Sequence, residues 1–234
     1  MTRLAIIGLG KMGRAVEAMA RDHGFEVVAR IDRSGGDATE ATAETLNGAE
    51  VAVEFTSPDA APDNIRVAAA ARCPIVVGTT GWDKRRAEVE AFVNQVGGAL
   101  LAAPNFSLGV AAFTLTVEAA AEAMRLAPGF DVHLIETHHA QKKDAPSGTA
   151  LALARVASAG LGRDVPITSV RTGSVPGIHE LIFDAQFEQI RLVHTARDRR
   201  VFAEGALLAA AWLVGRRGIF TLRDVLTEPG GSPV

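Results

Sequence analysis

Short apolar runs alternate with helix-like stretches through the first hundred residues of the chain. The apolar runs predict strands at residues 3–7, 25–32, 51–55, 74–77 and 100–102. The stretches between them predict helices at residues 14–23, 58–71 and 83–96. Strands that alternate with helices and are apolar on both faces indicate a parallel sheet covered on both sides. The pattern therefore predicts an α/β fold that begins with a Rossmann-type parallel-sheet domain.

The pattern changes in the second half. A helix at residues 108–126, stopped by Pro128-Gly129, precedes strand-like runs at residues 131–138, 166–172, 179–185 and 189–195. One more helix, at residues 149–159 and ended by Gly160, lies among them, and helices at 202–214 and near Leu222 follow. This pattern predicts an α+β domain for substrate binding and oligomerisation, with an open mixed sheet. We expect the first domain at 1–106, completed by 203–234, and the second at 107–202.

Composition excludes several classes of function. The 234 residues carry a net charge of −3, which gives no footprint for nucleic acid, and we expect arginine pairs such as Arg199-Arg200 on solvated faces. The longest apolar run, residues 206–214, is far shorter than the roughly 20 residues that cross a bilayer. Cys73 is the only cysteine, so a disulfide within the chain or a cysteine-based metal site is impossible. We expect a cytoplasmic protein without a membrane partner.

A glycine-rich motif follows the first strand. It reads Gly8-Leu9-Gly10-Lys11-Met12-Gly13, and the second strand ends in Asp32, nineteen residues after Gly13. In such a unit the first glycine permits a tight turn, the second admits a pyrophosphate, and the third lets the helix pack on the strand. Asp32 favours NAD through the ribose hydroxyls, whereas Arg33 beside it leaves NADP open. The alternative is a glycine-rich turn in another α/β protein.

Small, hydroxylic and amide groups follow the next three strands. Because ligands of parallel sheets bind beyond the carboxyl ends of strands, these residues suit a nicotinamide and its ribose. Ordinary turn chemistry would explain any one of the groups alone. The candidates are Phe55-Thr56, Gly78-Thr79-Thr80 and Ala103-Pro104-Asn105-Phe106.

Residues 136–150 concentrate reactive side chains. Alternation along the strand places Glu136 and His138 on one face and His133 on the other. His138 suits proton transfer, since an imidazole titrates near neutrality, and Lys142 supplies a cation. The residues Ser147, Gly148 and Thr149 open a helix, whose amide groups can bind an anion.

The less specific interpretation is that Ser147 only caps the helix and that the histidines are satisfied surface residues. We expect no metal site. His138 and His139 diverge on the strand, and no nearby third ligand has metal-binding spacing.

The stretch resembles the dihydrodipicolinate (4-hydroxy-tetrahydrodipicolinate) reductase family, whose pattern E-x-H-H-x-x-K-x-D-A-P-S-G-T-A matches from Glu136 to Ala150. The resemblance implies NADH- or NADPH-dependent reduction of a cyclic dicarboxylate in lysine and diaminopimelate biosynthesis, by a homo-oligomer, usually a tetramer formed through the second sheet. It implies proton transfer by His138 and Lys142. It implies carboxylate binding by His139, Ser147, Gly148 and Thr149, and cofactor binding by Gly8–Gly13, Asp32, Arg33, Phe55, Gly78–Thr80 and Ala103–Phe106.

Two departures and two alternatives accompany this resemblance. The better-known family loop, G-x-x-G-x-M-G, is one residue longer, and the hairpin at residues 184–189 is atypical. The alternatives are an amino-acid dehydrogenase and a nicotinamide-sensing regulator without catalysis. An aspartate-semialdehyde dehydrogenase would need a catalytic cysteine, for which Cys73 is badly placed. NADH against NADPH, and whether the substrate is dehydrated on the enzyme, stay open.

Overall fold

The computed structural model describes residues 1–228 in two compact units. The first unit comprises residues 1–108 and the described residues from 200 onward, and the second comprises residues 109–199. Residues 229–234, which end the first predicted domain, lie outside the described residues. Strands and helices are numbered in chain order below.

A six-stranded parallel sheet forms the centre of the first unit, in the order β10-β5-β4-β3-β1-β2. Its strands are β1 (Thr2–Ile7), β2 (Phe25–Ile31), β3 (Val51–Glu54), β4 (Ile75–Val77), β5 (Ala99–Ala102) and β10 (Gly218–Phe220). The predicted Rossmann-type sheet is confirmed, but the sequence analysis missed β10. Its three residues are too few for a strand pattern, and their pairing with β5 defines the strand.

Helices cover both faces of this sheet, as predicted. The helices of the unit are α1 (Lys11–Ala20), α2 (Ala61–Ala70), α3 (Arg86–Gln95), α6 (Arg200–Leu213) and α7 (Leu222–Thr227). Buried Ile65 and Val93 place α2 and α3 over one face, while α1 and α6 pack together over the other. The predicted start of the first helix at Arg14 was wrong, because Gly10 is its extended N-cap and Gly13 lies in its first turn.

The second unit is a four-stranded mixed sheet with two helices on one face. Its elements are α4 (Leu108–Met124), β6 (Asp131–His138), α5 (Gly148–Leu161), β7 (Ile167–Arg171), β8 (Gly177–Asp184) and β9 (Gln189–Ala196). The order is β7-β6-β8-β9, and only the β6–β7 pair is parallel, so the predicted open mixed sheet is confirmed. The predicted end of α5 at Gly160 was wrong, because the helix continues to its left-handed C-cap Gly162. Gly160 instead lies against α4, since a Cβ there would be 2.8 Å from Ala121 Cβ.

Alternation divides this sheet into an inner and an outer face. On the inner face Leu134 and Phe183 are buried in a core with Val117 of α4 and Leu153 of α5. Toward the carboxyl end of β6 the same face becomes polar, and the residues there form the site described below. In the described part of the chain, no helix combines the length and the apolar character that crossing a membrane requires.

Candidate active site

The glycine-rich loop of the first unit has the backbone that a dinucleotide needs. Gly8 adopts φ +93°, and a Cβ there would lie 2.1 Å from the carbonyl oxygen of Phe55. A Cβ on Gly13 would lie 1.9 Å from the Gly8 oxygen, so this glycine lets α1 approach the loop. Gly10 differs, since a Cβ there would meet no described atom within 4 Å. The loop therefore leaves space at the start of α1, where helix amides favour a phosphate.

Asp32 closes this loop from the end of β2. Its Oδ2 accepts the Leu9 amide N–H at 2.6 Å, and its Oδ1 accepts the Ser34 amide and hydroxyl at 2.7 and 2.6 Å. The hydrogen bonds from Ser34 and then from Leu9 lower the pKa of Asp32, which keeps it an anion. Oδ1 already accepts two bonds, whereas Oδ2 can accept a further one, so the side chain fits a ribose hydroxyl. Arg33 is exposed beside it.

The predicted residues at the next three strand ends lie together, because β3, β4 and β5 are neighbours in the sheet. The ring of Phe55 covers Gly78, where a Cβ would lie 1.9 Å from ring carbon Cε1, and it meets Phe106 edge-on at 6.1 Å. Thr79 Oγ1 accepts the Thr56 amide at 2.7 Å. The remaining candidates of these strand ends, Thr80, Ala103, Pro104 and Asn105, occupy the same loops, whereas Lys11 and Met12 are the first two residues of α1.

A second cluster lies at the polar end of the inner face of the second unit. Glu136 and His138 are buried and point to the same side, as alternation predicted, and Nδ1 of His138 is hydrogen-bonded to Oε2 of Glu136. The other oxygen of Glu136 accepts Arg171 Nη2 at 2.6 Å and the Ser147 amide at 3.4 Å. The His179 ring stands edge-on to His138 at 5.2 Å between centroids.

The loop after β6 carries Lys142 and His139. Lys142 is half-buried, and its Nζ lies 2.9 Å from Oδ1 of Asp144. The backbone oxygen of Asp144 accepts Arg171 Nη2 at 2.6 Å, which fixes the loop to the same guanidinium that holds Glu136. His139 Nε2 accepts from Nη2 of Arg199 at 3.1 Å. Arg199 is exposed, as predicted, but it also donates a hydrogen bond to His139.

The start of α5 combines a cap with an open glycine. The hydroxyl of Ser147 accepts the Ala150 amide at 3.1 Å and lies 3.3 Å from Nε2 of His179, so the capping interpretation of this side chain is confirmed. Gly148 is exposed, and a Cβ on it would meet no described atom within 4 Å outside its chain neighbours and the backbone of its own helix. Thr149 is half-buried in the same first turn. Gly148 and Thr149 present the helix start to an anion.

Burial and neighbouring charges perturb these groups in different directions. Although burial alone raises the pKa of Glu136, the Arg171 hydrogen bond and the charge of His138 bring that pKa down to about 2. Burial lowers the pKa of His138, Glu136 opposes this shift, and the charges of Lys142 and Arg171 add to it. Burial and the charge of His138 lower the pKa of His179 to about 4. Glu136 is thus an anion beside two histidines that favour their neutral forms.

Sequence reasoning gave no role to Arg171, His179 or Arg199. Arg171 reaches Glu136 across the parallel β6–β7 pair, and His179 lies opposite Glu136 in the β6–β8 register. Arg171 and His179 are 35 and 43 residues from Glu136 along the chain, and Arg199 is 60 residues from His139. Local spacing in the sequence therefore does not reveal these partners.

The structure contradicts the expectation that no third metal-ligating group lies near His138. Glu136, His138 and His179 offer ligand atoms within 4.8 Å of one another, so a third group does lie near. Both oxygens of Glu136, however, already accept N–H groups, one of them from a guanidinium whose charge opposes a cation. The arrangement fits an oriented imidazole better than a metal site.

Comparison with known proteins gives a consistent family. The model described as "Dihydrodipicolinate reductase, N-terminus" matches residues 2–106, and "Dihydrodipicolinate reductase, C-terminus" matches residues 109–226. A Thiobacillus denitrificans protein named 4-hydroxy-tetrahydrodipicolinate reductase is 36% identical, over 96% of this chain and 98% of its own. A Christiangramia forsetii protein of the same name is 33% identical with the same coverage.

The fold has a matching solved structure. It is a dipicolinate-bound dihydrodipicolinate reductase from Paenisporosarcina sp. TG-14, with a TM-score of 0.82 and 22% identity. The match covers 94% of this chain and 97% of that one. The agreement extends through both units of the chain.

Proposed function

The chain belongs to the dihydrodipicolinate reductase family and is an oxidoreductase, and from this premise we propose that it reduces dihydrodipicolinate, derived from 4-hydroxy-tetrahydrodipicolinate, to tetrahydrodipicolinate. A hydride and a proton add across a carbon–carbon double bond conjugated to the ring imine, and the nicotinamide is oxidised. This step belongs to lysine and diaminopimelate biosynthesis. Family membership sets aside both the regulator and the amino-acid dehydrogenase.

One arrangement within the second unit supports the proposal. The buried, oriented imidazole of His138 ends β6, Lys142 lies in the loop that follows, and this loop leads to the open start of α5. His138 exchanges the proton with the substrate, because Glu136 holds its Nδ1 and leaves Nε2 for the ligand. Lys142 is the second proton donor and a positive charge for the anionic substrate. Asp144 holds its ammonium group in place at 2.9 Å.

The carboxylates of the substrate need cations and amide groups. His139, supported by Arg199, binds one carboxylate, and the first turn of α5 at Gly148 and Thr149 binds another. Ser147 contributes by shaping that turn, since its hydroxyl is engaged by the Ala150 amide. A dicarboxylate is therefore favoured over a neutral ring of the same size.

The first unit fits a dinucleotide, through open Gly10, the start of α1 and the anionic Asp32. When bound, the nicotinamide supplies the hydride. Asp32 favours NADH by accepting ribose hydroxyls and repelling a 2′-phosphate, whereas exposed Arg33 attracts that phosphate. We propose that both nucleotides serve, and turnover measured with each tests this.

We further propose a homo-oligomer, a tetramer, formed through the outer face of the second sheet. That face presents Ile135, Ile182 and Val193, and Val193 is 53% exposed. Open sheets with apolar outer faces need a cover, and a second copy of the same face supplies one. A cytoplasmic location stays a prediction.

The test follows NADH or NADPH absorbance while the dicarboxylate precursor is generated in the cuvette. His138→Gln and Lys142→Ala should each lower kcat by roughly 10²–10⁴-fold, the usual contribution of general acid–base catalysis. Lys143→Ala, which removes an exposed neighbouring charge, is the matched control and should retain turnover. Nucleotide affinity, measured by fluorescence, should be unchanged in all three variants.

Wild-type protein without turnover on this substrate would refute the function. Lost nucleotide binding in the His138 or Lys142 variants would show that their roles are misassigned. Equal losses in the Lys142 and Lys143 variants would show that general charge, and no specific donor, matters.

A further inference from the structure

The buried carboxylate of Glu136 joins three elements of the second unit. Its Oε2 pairs with Nδ1 of His138 on its own strand. Its Oε1 accepts Nη2 of Arg171 on β7 at 2.6 Å and the amide of Ser147 before α5 at 3.4 Å. The Glu136 side chain is fully buried, and the Arg171 side chain is 17% exposed. Such a completely enclosed carboxylate is stable only with strong donors around it.

We propose that Glu136, held by Arg171, is a positioning residue that fixes the Nδ1–H tautomer of His138, so that Nε2 is the nitrogen that takes up a proton from solvent and gives it to the substrate, which returns the ring to the Nδ1–H form. This inference rests on the proposed function and deepens it, because it assigns positioning roles to Glu136 and Arg171 in addition to the proton transfer by His138. The hydrogen bond on one imidazole nitrogen determines which nitrogen is available for chemistry.

Arg171 determines which partner each oxygen of Glu136 can have. A guanidinium and an amide N–H are donors only, so the Oε1 position must be an acceptor. The Arg171 hydrogen bond also keeps Glu136 ionised, against the burial that raises its pKa. An ionised Oε2 can only accept, and His138 must therefore present Nδ1–H to it. The carboxylate is too weak a base to take that proton away near neutral pH.

The other side of the ring is kept open. A side chain at Gly177 would place its Cβ 3.1 Å from Nε2 of His138, so the glycine leaves this nitrogen accessible from β8. The charged and titratable groups that face the ring are Glu136, Arg171, His179 and Lys142. Of these, Glu136 is the one that raises the pKa of His138 and aligns the ring.

The substitution Glu136→Gln tests this arrangement sharply. Arg171 and Ser147 require an oxygen at the Oε1 position, so the amide NH₂ of glutamine must occupy the Oε2 position. There it donates to Nδ1, which moves the proton of the neutral ring to Nε2. Nδ1–H then has no acceptor, so the doubly protonated ring that gives its Nε2 proton to the substrate is disfavoured. Glu136→Asp keeps the charge and an acceptor, but it shortens the side chain by one methylene group. Glu122→Gln, on the exposed surface of α4, is the matched control.

The experiment measures imidazole ¹⁵N NMR spectra, kcat, KM and the pH profile of kcat for wild type and these variants. The His138 signals are assigned by their absence in His138→Gln. We expect Nδ1–H in wild type and Nε2–H in Glu136→Gln, with kcat at least about tenfold lower and KM changed less than about threefold. The pH-profile limb of His138 should move to lower pH in Glu136→Gln, because the charge that raises its pKa is gone. Glu136→Asp should restore part of kcat and most of the limb position.

The outcomes separate the two proposals. Wild-type His138 with Nε2–H, or a folded Glu136→Gln with wild-type kcat, overturns the positioning role while turnover of the wild type still supports the reductase function. Absent wild-type turnover refutes the function whatever the tautomer. If Glu136→Gln does not fold, the wild-type tautomer and the Glu136→Asp profile decide the question.

Discussion

Glu136 accepts a hydrogen bond from Nδ1 of His138, two residues further along the same strand. Because residues two apart on a strand share a face, β6 supplies the imidazole and its orienting carboxylate as one unit. The adjacent strands then add Arg171 and His179, and the start of α5 adds Ser147. The polar cluster therefore draws its partners from the sheet and from the start of α5, and the apolar end of the same face stays intact.

The first prediction concerns acid stability. The pKa of His179 is lowered from 6.5 to about 4, chiefly by burial and then by the charge of His138. A lowered folded pKa gives stability that is complete above 6.5 and is lost as the pH falls toward 4. The shift corresponds to roughly 3 kcal/mol at 1.36 kcal/mol per pKa unit. The free energy of unfolding, measured with denaturant at several pH values, should therefore fall by roughly 3 kcal/mol between pH 6.5 and 4.

One substitution separates the contributions of His179 and Glu136 to this acid sensitivity. His179→Gln should flatten the dependence between pH 6.5 and 4, leaving a smaller slope from His138 and His194, whose pKa values burial also lowers. A second loss of unfolding free energy, between pH 4.5 and 2, should persist in this variant. It comes from Glu136, whose pKa is lowered from 4.5 to about 2. Unchanged acid sensitivity of His179→Gln would contradict the assignment.

Local features of the site could be predicted from sequence, and non-local ones could not. The spacing of Gly8, Gly13 and Asp32 lies within one β–α–β unit, and alternation alone placed Glu136 beside His138. Arg171 and His179 reach the cluster through strand register, which depends on the turns and core of the whole sheet. The same limit applies to β10, since pairing with β5 defines it.

The second prediction separates structural from ligand-binding glycines. Gly13→Ala should lower stability, because its Cβ would lie 1.9 Å from the Gly8 carbonyl oxygen. Gly10→Ala meets no such clash within the described residues, so it should lose only the N-cap preference of glycine, about 1 kcal/mol or less. Its methyl group would occupy the space of the pyrophosphate and weaken NADH binding about tenfold or more, about 1.4 kcal/mol. Titration calorimetry that finds wild-type affinity for Gly10→Ala would place the cofactor elsewhere.

The third prediction concerns the start of α5. Gly148 is exposed and uncrowded, so Gly148→Ala should fold and gain up to about 1 kcal/mol from helix propensity. The added methyl group would keep a carboxylate from the first-turn amides, and KM for the dicarboxylate should rise about tenfold, or about 1.4 kcal/mol. Ser147→Ala is the comparison, since loss of its cap to Ala150 should cost about 1 kcal/mol of stability. An unchanged KM in Gly148→Ala would remove this turn from the substrate site.

The last prediction tests the outer face of the second sheet. Val193 lies on the edge strand β9, 53% exposed, opposite Glu180 of β8 and diagonal to Ile182. A lysine there would have to be desolvated in any assembly that buries the face, so Val193→Lys should lower the oligomeric mass in sedimentation velocity. Leu126→Lys, on an 82% exposed residue after α4, is the control and should sediment like wild type. Equal behaviour of both variants as oligomers would show that this face is not the interface, and a monomeric wild type would refute the oligomer itself.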